Sequence, residues 1–150
     1  MLINLFYGML VMGVCLLLQS LLLTAALRYY VHRQILLKNP SLWSALLVIN
    51  SVMVLLVLGN IAQVTIWALL FRLLGEFSGF GEAVYHSAVN FSTLGYGDVV
   101  MSINHKFLGP IEAINGVIMI GISTAALMAG FQDMMKKAIK ARQEGLASRL

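Results

Sequence analysis

Apolar residues run through three long stretches of the chain, and polar residues gather between them. The first stretch covers 2–27. A helix rises about 1.5 Å per residue, so this length readily crosses a hydrocarbon core of about 30 Å. No basic residue precedes it, it is too long for the apolar core of a cleaved leader, and Arg28 and Arg33 follow directly. It is therefore read as a retained span, despite the small residues Thr24-Ala25-Ala26. The second stretch, 42–74, is longer than a perpendicular span needs, so it tilts or extends into the interface. Asn39-Pro40 ahead of it reads as a helix start, with Asn as cap and Pro at the first helical position. Trp43 and Trp67 lie toward its two ends, where aromatic anchors are favoured. Asn50, Asn60 and Gln63 are expected to face protein, because unpaired amides in hydrocarbon are costly. The third stretch is 107–131, followed by a basic tail, 132–150.

Between the second and third stretches the pattern changes. Residues 82–92 are mostly apolar with helical character, but too short to cross. A glycine-rich turn at 93–98 and then Val99-Val100-Met101 follow. This pattern predicts a re-entrant helix and loop. Irregular backbone survives at membrane depth only when it is buried in protein or lines a watery path.

Composition strengthens the membrane reading. Of 150 residues, 60% are hydrophobic and 11% charged, against about 25% charged in a typical soluble domain. The net charge of +4 does not point to nucleic acid, because the basic residues flank apolar runs instead of lining a polar face. Arg28, Arg33 and Lys38 follow the first span, and Lys136, Lys137, Lys140, Arg142 and Arg149 follow the third. Three spans place both groups on one side, expected to be cytoplasmic, with the N-terminus and the segment 75–106 outside. The single cysteine, Cys15, excludes an intrachain disulfide. No span carries arginines at every third position, and no catalytic cluster or phosphate loop is present, so neither a voltage sensor nor an enzyme is expected.

The glycines suggest a chemistry. A dehydrated cation needs its water oxygens replaced, and successive backbone carbonyls aimed at one axis can do that. An ordinary strand alternates its carbonyls, so the backbone must alternate between right- and left-handed regions. Glycine reaches the left-handed region without steric cost, which suits Gly95 and Gly97. Thr93 adds a hydroxyl oxygen at the inner end. Leu94 and Tyr96 are expected to point away from the axis and wedge against the short helix, whose negative C-terminal end favours a cation beyond it.

Thr93-Leu94-Gly95-Tyr96-Gly97-Asp98 resembles the potassium-channel signature, from which it departs only in Leu94, where Val or Ile is usual. The likeness extends over about 43–131 and implies an all-α membrane protein of the two-transmembrane, P-loop pore type with one additional N-terminal span. It implies an outer helix at 41–74, a pore helix at 82–92, a filter at 93–98 and an inner helix at 107–131, flanked by the span 1–27, the basic connector 28–40 and the tail 132–150. Four copies would form a homotetramer, each supplying one filter strand. The carbonyls of Thr93, Leu94, Gly95 and Tyr96, with Gly97 completing the strand, would hold potassium as the permeant ion, with no cofactor. In this family the aspartate matching Asp98 bonds behind the filter.

Other positions carry weaker expectations. His86 lies where many relatives have an aromatic residue; it is either a pH sensor or a packed, hydrogen-bonded side chain. Glu112 either braces the pore loop, through backbone or Asn115, or faces water at the interface. Gly116 is a packing glycine, and Gly121 a packing or hinge glycine resembling the family's hinge. Thr124, Leu127, Met128 and Phe131 follow at helical spacing as candidate inner-pore or gate residues. The tail either lies on anionic lipid or serves as positive-inside anchoring. The added span packs outside the outer helix or offers a partner-binding face through Gln19 and Thr24. A plasma-membrane location is expected. The alternatives in function are a poorly selective cation channel and a non-conducting channel-associated subunit.

Overall fold

The computed structural model describes residues 2–36 and 42–147. Four helices follow one another: α1 (Leu2–Leu36), α2 (Leu42–Leu73), α3 (Phe80–Phe91) and α4 (Leu108–Ala147). Among the described residues there is no strand. Three helices are long and apolar enough to cross a membrane, over Leu2–Arg33, Leu46–Leu73 and Leu108–Lys140. The protein is thus an all-α, multi-pass membrane protein, with the short α3 held among the long helices.

Helix α1 packs against both α2 and α4, so it does not simply lie outside the outer helix. Its buried positions are Asn4, Gly8, Val11, Cys15, Gln19 and Ala26. They recur at steps of three, four and, from Gln19 to Ala26, seven, one stripe of a helix. Most are small or polar. That suits a membrane interface, where close backbone approach and interhelical hydrogen bonds replace the hydrophobic driving force. Gly8 lies against Ile111 of α4, and Gly59 of α2 lies against Leu22 of α1. A polar seam ties the three helices together at its centre. Gln63 Nε2 donates to Gln19 Oε1 at 2.8 Å, and Gln19 Nε2 donates to Ser123 Oγ at 2.9 Å. Ser123 in turn donates to the Met119 carbonyl at 2.9 Å. Gln19 therefore faces the protein interior and offers no outward face, whereas Thr24 is exposed and bonds back to the Ser20 carbonyl.

Several helix limits differ from those expected. Helix α1 continues to Leu36, so Arg28 and Arg33 ride on its last turns and not in a loop. Helix α4 continues to Ala147, so the basic tail extends the inner helix directly. No Gly or Pro interrupts 28–36 or 131–144, and Lys, Arg, Gln, Ala and Leu all favour helix. Charge alone does not end a helix. Trp67 is fully buried against Phe71 and is no interfacial anchor, while Trp43 is exposed. Gln63 is buried and Asn60 half-buried, but Asn50 is exposed in the single chain. The Asn39-Pro40 cap lies outside the described residues.

Candidate functional site

Helix α3 has 12 residues, about 18 Å at 1.5 Å per residue, too short to span. It is wedged between α2 and α4 by a cluster built from Trp67, Phe71, Phe77, Ala83, Phe91 and Leu108. Its C-terminal end rests directly on α4. A methyl group built on Gly116 would fall 1.9 Å from the Phe91 carbonyl oxygen. Only glycine permits that approach, and the obstructing atom is backbone, which no rotamer change can move.

The helix closes with a double turn. Thr93 N–H donates to the Asn90 carbonyl at 2.9 Å, and Leu94 N–H to the Val89 carbonyl at 3.0 Å. These two bonds form a Schellman cap, which requires a left-handed residue at Thr93. Its φ is indeed +61°, the only positive value at a non-glycine residue among those described. A β-branched residue there is strained by roughly 1–2 kcal/mol. Gly95 follows at +62° and Gly97 at +75°. Left-handed residues thus occur at every second position from 93 to 97, the alternation that a row of convergent carbonyls demands. Gly95 and Gly97 matched expectation; Thr93 did not, because its residue type argues against the conformation. The helix-end register was the one signal that pointed to it.

Within one chain, the wedge expected of Leu94 and Tyr96 is not made. They are 58% and 66% exposed, and the loop 92–98 is exposed throughout. A groove of about 360 Å³ lies beside it, lined by His86, Asn90, Thr93, Gly95 and residues from the start of α4. Irregular backbone at membrane depth cannot face lipid. At that depth such a loop is either covered by protein or lines a watery path.

The outer end of the loop is pinned at several points. Tyr85 Oη donates to Asp98 Oδ2 at 2.7 Å, and Val99 N–H donates to Asp98 Oδ1 at 3.0 Å. The Tyr85 hydroxyl holds the Asp98 carboxyl below its usual range, and Asp98 raises that of Tyr85. His86 is buried and packs on Phe71 and Phe77. Its Nδ1 lies 2.8 Å from the Val99 carbonyl and its Nε2 2.8 Å from Asn90 Nδ2. A carbonyl only accepts, so Nδ1 carries the proton and Nε2 receives the amide N–H.

Sequence reasoning missed Glu76. Ser102 donates to it through N–H at 2.6 Å and through Oγ at 2.7 Å, and His105 Nδ1 also bonds to it. It fastens the segment after the glycine-rich loop to the end of α2. Burial raises its carboxyl, but the bonds from His105 and Ser102 outweigh that and leave it lowered. An acidic residue in a polar loop carries no sequence signal for such a clamp.

Glu112 is fully buried and bonds to Ser87 Oγ, not to Asn115. Ser87 lies on α3 and also bonds to the Val64 carbonyl of α2 at 2.7 Å. The side chain therefore joins α4, α3 and α2 directly behind the loop. Further along α4, Gly121, Thr124, Met128 and Phe131 share one exposed face. Leu127 departs from them and lines a second groove with α1 and α2. Nothing lies within 4 Å of a methyl built on Gly121, so within the chain it serves no packing contact.

A family model described as an ion channel matches residues 53–133, more than half of the chain. The match starts within α2 and takes in α3, the loop and α4 as far as Asp133. No curated protein and no solved structure matches.

Proposed function

The chain belongs to the ion channel family, and from that premise we propose that it is one subunit of a potassium-selective homotetramer. The observation that carries this reading is the left-handed alternation at Thr93, Gly95 and Gly97 within Thr-Leu-Gly-Tyr-Gly-Asp. Such a backbone turns successive carbonyls to one side. Four chains around an axis make rings from the carbonyls of Thr93, Leu94, Gly95 and Tyr96 and the Thr93 hydroxyl. These replace the hydration shell of potassium, which passes down its gradient. The exposed Leu94 and Tyr96 pack against neighbouring subunits, which supply the cover the loop lacks.

Asp98, His86 and Glu112 support the filter from behind. Gly121 lets the inner helix bend, and Thr124, Met128 and Phe131 line the inner pore, where the apolar pair closes it by dewetting. The chain sits in the plasma membrane with its N-terminus outside and the basic ends of α1 and α4 in the cytoplasm.

The test is flux through liposomes holding the pure protein, under opposed potassium and sodium gradients. A reversal near the potassium equilibrium potential, lost in Gly95→Ala, is expected. A reversal near zero would replace selectivity with a loose cation pore, Leu94 being the departure responsible. Absence of flux from an intact tetramer would favour a non-conducting subunit.

A further inference from the structure

Behind the loop, one hydroxyl proton faces two acceptors. Ser87 Oγ of α3 lies 2.7 Å from the Val64 carbonyl of α2 and within bonding distance of Glu112 Oε1 of α4. Ser87 and Glu112 are both fully buried. A serine hydroxyl has one proton to give, and a carbonyl oxygen only accepts. The contact with Val64 therefore takes the Ser87 proton. The contact with Glu112 still needs one, and the carboxyl is the partner able to supply it.

We propose that Glu112 is held as a neutral carboxylic acid that donates its proton to Ser87, leaving the Ser87 hydroxyl free to tie α3 to α2. Its surroundings agree. Among the described residues it pairs with no Lys, Arg or His, and its Oε2 has no hydrogen-bond partner. Asn90 faces it from α3, and the Cys15 thiol from α1. His86 stands one step away. Its Nε2 receives the Asn90 amide, and its own proton is committed to the Val99 carbonyl. Trp67 Nε1 and Asn115 Nδ2, two buried donors beside Cys15, do not bond to the carboxyl. A charged carboxylate would draw such donors to itself, and one left without them at this depth is costly. The neutral acid needs neither.

The consequence rests on the channel reading. Without its proton, Glu112 would draw the Ser87 hydroxyl to itself, and the Val64 carbonyl would lose its partner across helices. The carbonyls of Val89 and Asn90, shortly beyond Ser87, accept the N–H groups of Leu94 and Thr93 that close α3. The proton on Glu112 thus fixes the helix end from which the candidate filter starts. Glu112 is a positioning residue acting through Ser87, and it places no charge beside the permeant ion.

Infrared spectroscopy of the detergent-purified assembly at neutral pH reads the proton directly. Glu112 is the one fully buried acid among the described residues. The native protein is expected to show the carbonyl band of a protonated carboxyl, which shifts down in heavy water and is lost in Glu112→Gln. In Ser87→Ala, which removes the acceptor of that proton, the band should move to higher frequency. Amide exchange reads the tie between helices. Ser87→Ala should raise exchange across 86–92 about fivefold, the equivalent of one net hydrogen bond. Glu112→Gln, whose amide still donates to Ser87, should leave it as in the native protein. Loss of a carboxylate band in place of the carboxyl band, a band indifferent to Ser87→Ala, or exchange raised equally by both variants overturns the proposal. Where a variant fails to assemble, the native spectrum alone decides, and absence of the carboxyl band refutes it. No readout depends on ion flux, so a protein that passes these tests without conducting would refute the channel reading alone.

Discussion

Replacing Gly116 by alanine adds one methyl group, and its effect follows from a single contact. The new carbon would lie 1.9 Å from the Phe91 carbonyl oxygen, against about 3.4 Å for ordinary contact. The end of α3 must therefore retreat from α4 by about 1.5 Å. Thr93 sits two residues beyond Phe91, so the displacement passes straight into the candidate filter. Two energies oppose each other. Alanine favours helix over glycine by about 1 kcal/mol, whereas overpacking costs typically 1–3 kcal/mol and more where backbone cannot yield. Here the obstructing atoms are backbone, so the steric cost wins, by about 1–2 kcal/mol. The thermal inactivation half-life of the assembly and its potassium-to-sodium permeability ratio are both expected to fall. Gly13→Ala in α1 is the control, because it gains the helix preference with nothing in its way. Should Gly116→Ala match the native protein in both measurements while Gly13→Ala does likewise, the close approach of α3 to α4 is wrong.

Thr93→Gly removes a left-handed β-branched residue but loosens the unfolded chain, so stability should rise by less than about 1 kcal/mol while selectivity falls with the lost hydroxyl; a drop in both would place the strain elsewhere. Asp98 is lowered by the Tyr85 hydroxyl. Their contact therefore contributes fully above the ordinary carboxylate value of about 4 and is lost as pH falls through the lowered one. Tyr85→Phe should move the acid loss of conduction to higher pH, and an unmoved profile would deny the link. Glu76 is lowered by the same sign, so acidification to about pH 5 should leave its clamp on Ser102 intact, while Glu76→Gln should increase amide exchange at 102–105; equal exchange rates would dismiss the clamp. Gln19→Leu strands the Gln63 amide in the seam and should shorten the unfolding half-life, at a cost of about 1–3 kcal/mol.

The spans, the short helix between the second and third, and the positive φ of Gly95 and Gly97 were legible because each is written in residue type. Hydrophobic length marks α1, α2 and α4, and glycine marks Gly95 and Gly97. What stayed hidden depends on which atoms meet. Nothing in the composition of 131–147 separates a basic tail from a continued helix. Trp67 looked interfacial because position along a helix was legible and rotation about it was not. Glu76 and the left-handed Thr93 are products of tertiary closure and turn register. Leu127 belongs to the run of candidate pore residues by spacing, yet α1 and α2 draw it to the other face.

The same distinction explains the first helix. The family match begins at residue 53, beyond α1. Yet two polar side chains within the matched region, Gln63 and Ser123, are buried and bonded to Gln19 of α1. Without α1 these groups would face hydrocarbon, where an unpaired amide is costly. Each bond across helices in a membrane contributes about 0.6 kcal/mol on average and up to about 1.7, so the seam alone is modest. The larger effect is avoidance: α1 allows the outer and inner helices to carry polar residues on a side that would otherwise have to be apolar. Gly8 against Ile111 and Gly59 against Leu22 bring the helices close enough to keep lipid out of that seam. Helix α1 is therefore packed into the same unit as the matched region, covering polar residues that would otherwise meet hydrocarbon.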